Sequence, residues 1–221
     1  MSRPTLHIGN QNYSSWSLRP WIAFRHLGID FETRVLPLRT AEFRQGIAAL
    51  DVAGRVPVLV HGDVRVWDSL AICEYGSELA GGQGWPPSVA SRALARSVSC
   101  EMHSGFESLR SQMPMNIRAR RTVPMTPELA NDIARIDTSW NRARQKHAAS
   151  GPWLFGDYSI ADAMYAPVAL RFATYGVELS PVAAAYRDTV LADPLLGEWI
   201  AAARGETWTL PVVEIGSERT Q

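Results

Sequence analysis

Three serines crowd the stretch Asn12-Tyr13-Ser14-Ser15-Trp16-Ser17-Leu18-Arg19, at the entry to an apolar pattern of helical spacing. The first N–H groups of a helix are unpaired, and the helix dipole there favours negative charge. A hydroxyl in that position can donate to a thiolate. A free cysteine-type thiol has a pKa near ~8.5, so lowering it by ~2 units takes ~2.7 kcal/mol of preferential thiolate stabilisation. One charge-assisted hydrogen bond and a helix dipole supply about that much. The same serines, Ser15 or Ser17 above all, serve equally as plain helix caps, and taken alone the cluster favours capping.

Two other spots carry chemistry. In Arg55-Val56-Pro57-Val58-Leu59 a proline opens a strand that must pair, which suits a cis bond after Val56. An edge-strand proline in trans fits the same residues. Asp68-Ser69 directly follows a strand and opens a helix. A carboxylate docked there gains backbone N–H bonds, the Ser69 hydroxyl and the dipole, while Asp68 is placed to take an ammonium group. A simple N-cap is an equally good reading.

The elements around these spots decide whether they can meet. Thr5 to Ile8 reads as a strand, and a helix starts from Ser17, with Pro20 in its first turn and Gly28 at its end. Phe31 to Leu38 is strand-like and Thr40 to Leu50 a weaker helix. Arg55 to Val60 and Val64 to Trp67 flank the turn His61-Gly62-Asp63, a hairpin. A helix runs from Asp68 to about Leu79. The order β-α-β-α-β-β-α combines a right-handed parallel βαβ unit with an antiparallel hairpin. Residues 81–91, GGQGWPPSVAS, break all periodicity and read as a linker. Everything beyond reads as helix. Arg92 to about Ile117 is expected as one long amphipathic helix. A second is capped by Thr126, with Pro127 at its first position, and runs to about His147. Others cover Ser159–Thr174, Val182–Leu191 and Pro194–Ala203.

Composition excludes several classes. The chain has 221 residues, 46% hydrophobic and 20% charged, with formal net charge +0. That argues against a protein built mainly to bind nucleic acid or an anionic membrane. The local run Arg118, Arg120, Arg121 reads as a solvated helix end. Cys73 and Cys100 fall in apolar helical patterns without CxxC or metal-ligand spacing, so reduced thiols and no metal site are expected. The start lacks the apolar core of a secretory leader, and no apolar run approaches the ~20 residues of a spanning helix. A cytoplasmic protein is expected.

The joint order of motifs makes a resemblance specific. SSWSLRPWIAF resembles the zeta-class glutathione transferase signature, SSC-S-x-R before an apolar helix. VPVL and DSLAI resemble the glutathione-binding motifs of the wider family. Gly156-Asp157-Tyr158-Ser159-Ile160-Ala161-Asp162 resembles the family's folding motif, a capping box in which Ser159 and Asp162 cap each other. The resemblance spans essentially the whole chain. It implies a thioredoxin-like α/β domain over residues 1–80, the linker, and an all-helical substrate domain over 92–221.

The resemblance also implies roles. Ser14 matches the hydroxyl that activates glutathione, the cosubstrate, and Ser15 assists. Arg19 matches the motif arginine. Val56 and Pro57 match the backbone that pairs with the cysteinyl moiety, with Arg55 beside them. Asp68 and Ser69 match the γ-glutamyl pair. Trp16 stands where zeta enzymes carry cysteine, which counts against zeta isomerase activity. In the first long helix Met102, His103, Phe106, Leu109, Arg110 and Met113 lie at spacings that can share a face over the cleft, followed by Met115. Trp16, Met102, His103, Phe106 and Arg110 are the candidates for the substrate side, though each methionine fits helix packing better. The expected activity is thiolate attack on a small electrophile. The alternatives are glutathione-dependent cis–trans isomerisation of a maleyl-type diacid, with Arg19 and Arg110 for its carboxylates, and a non-catalytic module that binds glutathione or a partner. A thiol oxidoreductase is disfavoured, because no cysteine lies in the turn after the first strand. The family further implies a homodimer. The apolar stretch Trp208 to Ile215 is expected to cover either the cleft or an interface.

Overall fold

The computed structural model describes residues 2–50 and 54–219. Its first elements follow the expected order β-α-β-α-β-β-α. Strand β1 (Thr5–Ile8) leads into helix α1 (Ser15–His26), strand β2 (Glu32–Val35) and helix α2 (Ala41–Ala48). The hairpin β3 (Val58–His61) and β4 (Val64–Trp67) follows, and helix α3 (Ser69–Leu79) closes the unit. The sheet order is β2-β1-β3-β4, parallel between β1 and β2 and antiparallel elsewhere. Leu6 and Ile8 on β1 are fully buried, as the central position of that strand requires.

Two details of α1 differ from expectation. It starts at Ser15, two residues early, because the Ser14 carbonyl already accepts the Leu18 N–H at 3.2 Å. Pro20 therefore lies inside the helix, beyond its first turn, and removes one backbone bond there. Helices α1 and α3 pack closely. A Cβ at Gly76 would stand 2.4 Å from the Phe24 ring, so glycine permits the close approach of the two helices.

The second domain is helical. It contains α4 (Val89–Ser104), α5 (Glu107–Gln112), α6 (Pro127–His147), α7 (Ile160–Tyr175), α8 (Pro181–Leu191) and α9 (Pro194–Gly205). Two short strands, Arg121–Thr122 and Ser217–Glu218, pair antiparallel and tie the C-terminal segment back. Thr126 caps α6 through the Leu129 N–H, with Pro127 in the first turn. Helix α7 is buried on every side and packs on α1, α4 and α8. The Trp140 indole anchors this core, edge-on to Tyr165, Phe172 and Tyr186.

The long helix expected from Arg92 to Ile117 is broken. Gly105 is extended, and Phe106 takes a left-handed conformation at φ +60°. A Cβ at Gly105 would meet the Glu101 carbonyl at 2.9 Å, so the chain turns at a glycine. The Arg110 guanidinium folds back onto the exposed end of α4, donating to the carbonyls of Gly105 (2.9 Å), Met102 and His103 (3.3 Å). A cation at helix C-terminal carbonyls is favourable. Periodicity misses this break because Phe106 keeps its apolar place in the pattern and is buried.

Candidate active site

A cavity of about 480 Å³ is lined by residues from both domains: Trp16 of α1, Arg55, Val56 and Pro57 before β3, Trp67 of β4, Asp68 and Ser69 at α3, and His103 of α4. Seven of these eight are sequence candidates; Trp67 is the exception. The Val56–Pro57 bond is cis.

Asp68 has φ +75°, outside the region ordinary residues favour. Such outliers cost about 1–3 kcal/mol and concentrate at ligand sites. Its Oδ1 caps α3 by accepting the N–H groups of Leu70 (2.9 Å) and Ala71 (3.2 Å). Its Oδ2 lies 3.0 Å from His103 Nε2, a contact across the two domains. Ser69 is 1% exposed, and its hydroxyl has no hydrogen-bond partner among the described residues. A buried unpaired hydroxyl is costly unless a ligand satisfies it.

The serine cluster sits deeper. Ser14 is the N-cap residue of α1, yet its hydroxyl caps no backbone group. It donates to Ser17 Oγ at 2.8 Å, which also accepts the Gly9 N–H at 3.1 Å. Ser15 Oγ accepts from Arg171 Nη2 at 3.0 Å. Both serines are buried, and neither lines the cavity. Met102 and Phe106 belong to the hydrophobic core, not to the cavity wall. Arg19 and Arg110 also stand off the wall, each against the Trp16 ring with its guanidinium carbon 4.4 and 4.6 Å from the ring centroid. The Trp16 indole further meets the His103 ring edge-on at 5.4 Å.

Arg171 is a functional candidate that motif matching misses. A signal was present: it is the lone cation in ADAMYAPVALRFATY, a helix apolar on nearly all faces, and so must be buried. It donates to the Met113 carbonyl (2.9 Å) and Ser15. Burial pushes its pKa down to about 9, with the Arg110 charge adding to the effect. Burial also pushes Arg19 well below the ordinary arginine value, and the charges of Arg110 and Arg171 act in the same direction. Burial lowers Arg110 as well.

Other groups are inert or structural. Burial raises the Cys73 thiol far above its ordinary value, so it stays protonated. Among the described residues no group of three or more His, Cys, Asp or Glu side chains is arranged to hold a metal, and no helix is long and apolar enough to cross a membrane. The C-terminal stretch contributes nothing to the cavity wall. Its Glu214 accepts from Tyr13 Oη (2.6 Å) and Arg121 (2.8 Å), bracing the loop before α1 from outside.

A thioredoxin-like domain with a helical domain packed on α1 is the glutathione transferase fold. Residues 13–79 match the family model of the glutathione S-transferase N-terminal domain. Along the chain, the sequence is 25% identical over 195 residues to a probable maleylacetoacetate isomerase of Caenorhabditis elegans, covering 86% of this chain and 89% of that one. Among solved structures, a glutathione transferase homolog from Burkholderia GL BGR1 with bound glutathione superposes with a TM-score of 0.71 at 22% identity, covering 93% of this chain and 100% of that one. A glutathione S-transferase of the Antarctic clam Laternula elliptica superposes with a TM-score of 0.69 at 17% identity, covering 93% of this chain and 95% of the other.

Proposed function

We propose that this chain is a cytoplasmic, homodimeric glutathione transferase that binds glutathione in the cavity between its domains and attacks a small electrophile with its sulfur. The observation that carries the reading is the unpartnered Ser69 hydroxyl beside Asp68, at a helix start on the cavity wall. The γ-glutamyl carboxylate docks on Ser69 and the first N–H groups of α3, and its ammonium group takes Asp68 Oδ2. The cysteinyl part pairs with the Val56 backbone, with Arg55 and Pro57 beside it. The sulfur then points toward the start of α1. Ser14 donates to it by turning its hydroxyl away from Ser17, with Ser15 and the helix dipole assisting. The cationic groups around Trp16, Arg19 among them, favour the thiolate over the thiol. Trp16 and His103 face the electrophile, with Arg110 behind the Trp16 ring and Met102 and Phe106 shaping the helix behind them. No metal takes part.

The test is the pKa of enzyme-bound glutathione, read by ultraviolet titration of the thiolate. Ser14→Ala is expected to raise it by about 1 unit, equivalent to ~1.4 kcal/mol. An unchanged pKa with retained binding removes Ser14 as the activator. No glutathione binding by the wild-type chain removes the whole reading and leaves a partner-binding module.

The second reading is glutathione-dependent isomerisation of a maleyl-type diacid. It is supported by the name of the Caenorhabditis elegans relative and by two cations, Arg19 and Arg110, against Trp16. Trp16 in place of the motif cysteine counts against it. Parallel assays with a maleyl substrate and a halo-aromatic separate the two.

A further inference from the structure

The guanidiniums of Arg19 and Arg110 lie against the Trp16 ring, that of Arg171 holds the neighbouring Ser15 hydroxyl, and the charges around them do not balance. Arg19 is 0% exposed and Arg171 4%, and Arg110 is partly buried. Each donates to at least one backbone carbonyl: Arg19 Nε to Met164 (3.1 Å), Arg171 Nε to Met113 (2.9 Å), Arg110 to the end of α4. Carbonyls satisfy donors but carry no net charge. Four further nitrogens are buried without a partner among the described residues: Nη1 and Nη2 of Arg19, Nη1 of Arg110 and Nη1 of Arg171. Among the described residues none of the three arginines makes a salt bridge. The acids closest in charge effect are already engaged. Asp68 caps α3 and meets His103, and Asp132 accepts the Leu109 N–H at 2.9 Å. The buried Cys73 thiol stays protonated and supplies no charge.

Burying a charge without a counter-charge is among the most costly arrangements a fold can contain. Here three such charges lie close enough to lower one another's proton affinity. Stacking on the Trp16 ring offsets part of the cost for Arg19 and Arg110, but an indole is neutral. What the arrangement lacks is an acceptor bearing negative charge.

We propose that Arg19, Arg110 and Arg171 form a binding site for a small monoanion of halide or carboxylate size, reached from the cavity where Trp16 forms its wall. The four free N–H-bearing nitrogens are its donors, and guanidiniums suit a carboxylate especially well. The site is separate from the Asp68–Ser69 end of the cavity, so it stands whether or not the chain turns glutathione over. The anion completes the charge balance between α1, α5 and α7, and so joins the two domains.

The test uses the full chain. Thermal midpoints are measured in sodium bromide, sodium acetate and sodium gluconate at equal ionic strength, gluconate serving as the bulkier anion. Bromide or acetate at 100-fold above its Kd is expected to raise the midpoint by about 5–10 °C over gluconate. Arg171→Met is expected to abolish that difference while melting no lower than wild type in gluconate, because it removes an uncompensated charge. Should Arg171→Met fail to fold, wild-type crystals grown in bromide decide. An anomalous peak within hydrogen-bond reach of at least two of the three guanidiniums supports the site. Its displacement by acetate assigns the site to carboxylates, and its persistence assigns it to halides. Equal midpoints in all three salts and no anomalous peak at the cluster overturn the proposal.

Discussion

Helices α3 and α7 both begin with an acid and a hydroxyl, and they treat them differently. At α7 the Asp162 carboxylate receives the N–H groups of Ser159 and Leu154 and the hydroxyls of Ser159 and Tyr186, at 2.8–3.0 Å, and is 1% exposed. At α3 Asp68 takes two N–H groups on one oxygen, leaves the other to a partly buried histidine, and sits beside a hydroxyl with no partner among the described residues. One start is saturated from within the chain; the other holds capacity in reserve on a cavity wall. Saturation of acceptors and donors, rather than the residue pair, separates a structural cap from a ligand-facing one.

Breaking the saturated start has the largest expected effect. Asp162→Ala strands four donors in the core and is expected to cost about 3–4 kcal/mol in urea unfolding. Burial raises the Asp162 pKa, and its hydrogen bonds only partly oppose this. The folded state thus holds this proton more tightly than the unfolded chain. Its contribution is largest at acid pH and declines as pH rises from about 4 through the raised value. Asp162→Asn should flatten that part of the stability profile.

The open start responds in binding. Asp68→Asn keeps a good N-cap, so stability should hold within about 0.5 kcal/mol. Glutathione affinity by calorimetry should fall about 10–100-fold, since the ammonium group loses its charge partner. An unchanged affinity would dissolve the contrast between the two helices. Ser69→Ala should weaken glutathione about 5–10-fold with no loss of stability, because the hydroxyl has no partner to lose. His103→Ala is the smallest change. It removes a competitor for Asp68 Oδ2 and should tighten glutathione about 2–3-fold, in keeping with the small worth of exposed pairs.

Local signals made most of the fold legible. Thr126-Pro127 marks α6 to the residue, and the alternation in β3 and β4 marks the hairpin, because caps and pleats are written in neighbouring residues. The cavity's Asp68-Ser69 and Val56-Pro57 were legible for the same reason. The orientation of Ser14 toward Ser17, the turn at Phe106 and the pairing of Arg171 with Ser15 were not. Each depends on a conformational choice or a partner far along the chain. Ser15 and Arg171 are 156 positions apart, and no spacing rule connects them.

Helix α1 belongs by sequence to the first domain, yet it packs on α3 within that domain and on α7 and α9 of the other. Trp21 meets Trp199 at 5.2 Å, and Arg19 reaches the Met164 carbonyl. A fragment ending after α3 would carry Trp21 and its neighbours bare to water, an invitation to aggregate. The segment between α3 and α4 therefore divides the polypeptide without dividing its cooperativity. A single melting transition, not two, is the natural behaviour of a molecule whose halves own one helix in common.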